Sequence, residues 1–97
     1  METETKLVWH HVTHDGGEAA GLPDFEEDCD LLVLLHYFGH ELTIFRWSYG
    51  HDALGRGFHE YVGNGYYDMR SDSYIIAWAE LPTADEVLTD EEKELYS

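Results

Sequence analysis

Eight residues in a row, Leu31-Leu32-Val33-Leu34-Leu35-His36-Tyr37-Phe38, carry the strongest apolar signal in the chain. The run is short and bounded by turn residues, so it reads as a core β-strand rather than a buried helix. Gly39-His40 follows, and a glycine in the first loop position suits a two-residue type II′ turn. The next segment, Glu41-Leu42-Thr43-Ile44-Phe45-Arg46-Trp47, alternates cleanly. Leu42, Ile44 and Arg46 share one face, and Thr43, Phe45 and Trp47 share the other. A hairpin at the middle of the chain commits it to a sheet.

The flanking sequence supplies further strands. Phe58 to Val62 and Tyr66 to Met69 flank Gly63-Asn64-Gly65, the pattern of a second hairpin. Ser73 to Glu80 is the last strand, stopped by Leu81-Pro82, and Lys6 to His14 is rich enough in β-branched and aromatic residues for one more. Asp15 to Asp30, with three glycines and a proline, has loop composition, as has Ser48 to Gly57. In the tail, Thr83 with Glu86 and Thr89 with Glu92 each fit the helix capping pattern, and Thr83 is the expected start. Val87, Leu88 and Leu95 give that helix a thin apolar stripe. The expected fold is α+β: a small, mostly antiparallel sheet of four to six strands with a short C-terminal helix, in a single domain spanning 1–97.

Charge constrains function more than fold. The 97 residues hold 21 acids against 5 bases, a net charge of -16, while 43% hydrophobic and 14% aromatic content suffices for a small core. A globule of this mass exposes about 5,700 Å², so acids occur about once per 270 Å². Such a surface repels nucleic acid and anionic membrane and attracts a basic protein or a metal ion. Two segments are densest: Asp24, Glu26, Glu27, Asp28 and Asp30, then Asp85, Glu86, Asp90, Glu91 and Glu92. These ten are the candidate partner-binding residues. Duplex DNA carries one charge per about 1.7 Å, so this net charge matches about 27 Å of duplex. The same charge also fits an acidic surface that does no more than keep the chain in solution.

Motifs for chemistry are sparse. Cys29 sits in Glu27-Asp28-Cys29-Asp30, where carboxylates disfavour the thiolate and hence nucleophilic use. Seven histidines, at 10, 11, 14, 36, 40, 51 and 59, invite a metal hypothesis, with His10 and His14 able to share a strand face, and His36 and His40 too if no turn intervened. No HExxH or other compact ligand signature accompanies them, so no metal or other cofactor is assigned. The acidic loop lacks the alternating oxygen ligands and central glycine of an EF-hand. No serine elbow, phosphate loop or cysteine–histidine signature points to an enzyme. The three tryptophans and seven tyrosines serve either as core and cross-strand residues or as a protein-binding surface. No secretion signal opens the chain and no apolar run spans a membrane, so a cytoplasmic protein is expected.

Trp9, Leu22-Pro23, the stretch from Asp30 to Leu35, and above all Ile76-Ala77-Trp78-Ala79-Glu80-Leu81-Pro82 carry a resemblance. The sequence resembles the DUF551-type family of short phage and prophage proteins over residues 9 to 82. Its tryptophan and leucine-proline positions look structural, so the resemblance brings no catalytic residue. The spacing from Trp9 to Leu22-Pro23 is long for that family, and the acidic tail after Pro82 departs from its pattern. The resemblance implies a mobile-element setting, where small acidic proteins are similar to inhibitors of host defence, anti-CRISPR proteins among them. The expected function is therefore binding and inhibition of a basic, nucleic-acid-handling host complex through DNA mimicry. The alternatives are a metal- or small-molecule-binding protein using His10, His14, His36 or His40, and a structural phage adaptor that uses a sheet edge and tyrosines. Oligomeric state stays open.

Overall fold

The computed structural model describes residues 2–50 and 55–97. The fold is α+β, as expected. Among the described residues eight strands run in the order β1 (His10–His11), β2 (Thr13–Asp15), β3 (Glu18–Ala20), β4 (Cys29–His36), β5 (His40–Ser48), β6 (Gly57–Gly63), β7 (Tyr66–Arg70) and β8 (Ile75–Glu80). Two short helices follow, α1 (Ala84–Val87) and α2 (Asp90–Leu95). Six strands form one sheet in the order β1-β8-β4-β5-β6-β7, every pair antiparallel, while β2 and β3 make a separate two-stranded ribbon.

The central hairpin is present with a different turn. His36 pairs directly with His40, so the loop is Tyr37-Phe38-Gly39, three residues rather than the expected two. Phe38 (φ 52°) and Gly39 (φ 127°) take the positive-φ positions, and the Tyr37 N–H donates to the Gly39 carbonyl at 3.0 Å. The second hairpin forms where expected, but Gly63 pairs with Tyr66 inside the strand, so the loop is Asn64-Gly65 rather than three residues; Asn64 (φ 53°) and Gly65 (φ 80°) are the two left-handed residues of a type I′ turn.

One face of the sheet carries the core. Leu31 and Val33 of β4, Phe45 and Trp47 of β5, Phe58 of β6, and Ile75 and Trp78 of β8 are buried there, with Trp47 and Phe58 edge to face at 5.1 Å. The expected division of β5 into a Phe45/Trp47 face and a Leu42/Ile44 face is the observed one. The lid on this core is residues 12 to 25: Val12, Ala19, Leu22 and Phe25 pack down onto it.

Two expectations give way here. The segment from Lys6 to His14 is not one strand; His10–His11 joins the large sheet and Thr13–Asp15 turns back against Glu18–Ala20. The segment from Asp15 to Asp30 is therefore loop only in part. Gly16 (φ 61°) and Gly17 (φ 88°) close that ribbon, and the positive φ of both is what lets the chain reverse so tightly. The tail also differs in detail, since both capping threonines are used and two helices form where one was expected. No helix among the described residues is long and apolar enough to cross a membrane.

Candidate functional site

The first acidic segment is held against the sheet by its apolar members. Phe25 meets Trp78 edge to face at 5.6 Å, and the Trp78 indole N–H donates to the Gly21 carbonyl at 2.8 Å. Between these anchors and β4 the chain displays its acids. Asp24, Glu26 and Glu27 are exposed. Asp28 and Asp30 are partly committed to the fold: the Tyr49 N–H donates to Asp28 Oδ1 at 3.1 Å, and Asp30 Oδ1 lies 3.6 Å from Arg46 Nε. Those two carboxylates have less charge to offer a partner than sequence assigned them.

The second segment owes its geometry to helix ends. Thr83 Oγ1 accepts from the Glu86 N–H at 3.3 Å. Thr89 Oγ1 accepts from the Glu92 N–H at 3.2 Å, and Glu92 Oε1 accepts in return from the Thr89 N–H at 3.0 Å, closing a capping box. Asp85 and Glu86 occupy the first turn of α1, and Asp90, Glu91 and Glu92 that of α2, where the helix dipole favours negative charge. The bonds from Thr89 hold the Glu92 carboxyl below its usual range. Asp85, Glu86, Asp90 and Glu91 are exposed.

Glu80 connects the two segments. It ends β8 and pairs in register with Leu31 at the start of β4, so the strand that leads into the helices finishes beside the strand that leaves the acidic loop. Glu80 lines a cleft of about 480 Å³ with Phe25, Glu26, Glu27 and Cys29. It also lines a smaller one, about 190 Å³, with Lys6, Thr83 and Glu86. The thiol of Cys29 senses this convergence: burial pushes its pKa up, and Glu80, Asp30, Asp28 and Glu27, in that order, push it further. The raised pKa keeps the thiol protonated and unreactive. Sequence reasoning missed Glu80, because its importance depends on β8 pairing with β4, and no local signal names that partner.

The histidines disperse. His10 stacks on Trp78 at 4.2 Å, while His14, now on a different strand, donates from Nε2 to the Ile75 carbonyl at 3.3 Å. The expected shared face for these two does not exist. His36 and His40 do come together across the hairpin, ring centroids 5.4 Å apart. His59 is buried and donates from Nδ1 to the Gly57 carbonyl at 3.0 Å. His51 lies outside the described residues. Among the described residues no three of His, Cys, Asp or Glu gather as metal ligands would.

A third cleft, about 460 Å³, opens where β6 parts from β5. Leu35, Tyr37, Phe45 and Tyr74 wall it, with Tyr37 and Tyr74 edge to face at 5.1 Å. Its cation, Arg70, is held by Glu60 (2.6 Å from Nη2 and 2.7 Å from Nε) and more loosely by Asp68 at 3.9 Å. The guanidinium is thereby neutralised from within the chain. No protein-family model, curated protein or solved structure matches this chain.

Proposed function

We propose that the protein is a binding inhibitor, which docks by its acidic end on a basic, nucleic-acid-handling complex of a host cell and occupies the place of DNA. The observation that carries this reading is the position of Glu80, which joins the acidic loop of residues 24–30 to the α1 acids at one end of the sheet. The charge of -16 supplies long-range attraction to a basic partner. A duplex as long as the 50 Å axis of the protein carries about 29 charges. The chain as a whole falls short of that, so the mimicry belongs to the acidic end. There the side chains of Glu26, Glu27, Glu80 and Glu86 are exposed, with Glu86 Oε1 accepting from the Thr83 hydroxyl at 3.3 Å, and Phe25 beside Glu26, Glu27 and Glu80 gives an apolar floor for residence time. The resemblance to DUF551-type proteins supports a phage or prophage setting, in which the inhibitor would act in the host cytoplasm.

The test reverses Glu27, Glu80 and Glu86 to lysine together. The expected result is an association rate with the basic partner lowered at least about tenfold at low salt, with the wild-type and variant rates converging as salt rises. Equal rates at low salt would remove this end from the interface. A second reading, a small-molecule-binding protein, draws on the Tyr37/Tyr74/Arg70 cleft, whose volume falls within the about 300–1,000 Å³ usual for ligand pockets. A ligand there would be displaced by Tyr74→Ala and indifferent to the acidic end.

A further inference from the structure

The sheet has a second face, which is covered over β8, where Ala77 and Ala79 are buried, and at His59 of β6, but stands open along β5 at Leu42 and Ile44. Register places Asp30, Leu32, Leu34 and His36 of β4 on that side, facing Arg46, Ile44, Leu42 and His40 of β5, with Ala77 and Ala79 of β8 alongside. Tyr61 of β6 and Tyr67 and Met69 of β7 extend the same surface, and the Arg46 guanidinium lies 4.7 Å over the Tyr67 ring. An antiparallel sheet with one wet face ordinarily alternates apolar with polar. Here the middle outward positions of the two central strands are aliphatic: Leu32 and Leu34 are half-buried, and Leu42 (60%) and Ile44 (55%) stand open to solvent.

We infer that this face is a dimer interface, which pairs with the same face of a second copy of this chain to close a two-sheet sandwich about 10 Å deep. Charge selects the occupant. Of the 21 acids, the strand positions of this face carry Asp30 alone, and Arg46 sits opposite it at 3.6 Å. A molecule of charge -16 can approach its own copy only through a face that has shed its acids, and this face has. A basic partner finds nothing on it to pair with. The area is that of a weak dimer. Leu42 (60%), Ile44 (55%), Tyr61 (56%) and Met69 (54%) stand open. At about 100 Å² per aliphatic side chain and about 200 Å² per tyrosine, these and the half-buried Leu32, Leu34 and Tyr67 offer about 400 Å² per copy. Two copies bury about 800 Å², the low end of interface sizes, where association is transient and concentration-dependent.

This interface and the acidic end respond to salt with opposite signs. Two copies repel over long range, so screening strengthens the dimer, whereas docking on a basic partner weakens. Sedimentation velocity of the full chain between about 10 µM and about 200 µM, at low and at high salt, reads this directly. The expected result is a concentration-dependent dimer whose dissociation constant falls several-fold at high salt. Ile44→Glu sets two like charges across the twofold in an apolar centre and should raise that constant at least about 100-fold. Leu42→Asn, nearer the hairpin, should raise it about tenfold, and Glu86→Lys at the acidic end should not weaken it. Both face residues are open in the monomer, so near-ultraviolet circular dichroism of either variant should match the wild type. A chain that stays monomeric at the highest concentration in both salts overturns the inference, whatever else the face then binds. So does a dimer that survives Ile44→Glu and Leu42→Asn unchanged.

Discussion

Trp78→Phe tests how the acidic loop is held in place. In the wild type the Trp78 indole N–H donates to the Gly21 carbonyl at 2.8 Å, the ring stacks on His10, and Phe25 abuts it. Phenylalanine keeps the six-membered ring and removes the N–H and the five-membered ring. The lost hydrogen bond costs about 1 kcal/mol, at the low end of an orphaned acceptor because Gly21 is exposed and water can reach its carbonyl. Roughly 50 Å² of buried apolar surface adds about 1 kcal/mol. The sum, about 2 kcal/mol, corresponds to a melting temperature lower by about 8–16 °C for a domain of this size. Thermal denaturation followed by far-ultraviolet circular dichroism measures it. Gly21→Ala is the matched perturbation from the other side: at φ +85° a side chain is strained, and its Cβ would collide with the His11 carbonyl oxygen. That variant should lose at least as much. A melting temperature within about 2 °C of wild type for Trp78→Phe would refute the reasoning, because the indole–Gly21 bond would then hold nothing.

Further expectations concern titration. The Cys29 pKa is raised in the folded chain, first by burial and next by Glu80, so alkylation should need a pH above that for a free cysteine, and Glu80→Gln should bring the profile down. The folded state therefore keeps its proton where the unfolded state has lost it. That contribution to stability is complete below the unfolded value of 9.0 and disappears as pH rises through the folded value, which denaturation at increasing alkaline pH would follow. Glu92 has the opposite sign: its folded pKa is lowered by Thr89, so its contribution is present above 4.5 and lost as pH falls through the folded value. Helix α2 should fray in acid, seen as loss of amide protection from Thr89 to Leu95, and Thr89→Ala should cost that helix about 1 kcal/mol at neutral pH.

Local signals were well read from sequence and long-range pairings were not. The alternation of Glu41 to Trp47 gave the buried Phe45/Trp47 face because a period of two needs no knowledge of the partner strand. Asn64-Gly65 named its own turn, since both loop positions require positive φ. The first hairpin turns at Tyr37-Phe38-Gly39 rather than at Gly39-His40, because Phe38 adopts φ 52°, a conformation its type rarely chooses. The ten acids fall into two segments by sequence alone, yet the approach of Glu26, Glu27 and Glu86 to Glu80 follows from β8 lying against β4, whose paired residues are 40 to 49 positions apart in the chain. The same holds for the open Leu42/Ile44 face. Sequence separates it from the core face and is silent on whether another layer covers it.

Co-purification of tagged protein from its host, at low salt, with and without competing duplex DNA, bears most directly on the central claim. The account predicts that a basic nucleic-acid-binding complex is retained by the wild type, released by competing DNA, and not retained by the variant carrying Glu27→Lys, Glu80→Lys and Glu86→Lys. A complex retained equally by wild type and variant, or the recovery of no basic partner at all, would contradict it and leave the acidic end without a binding role.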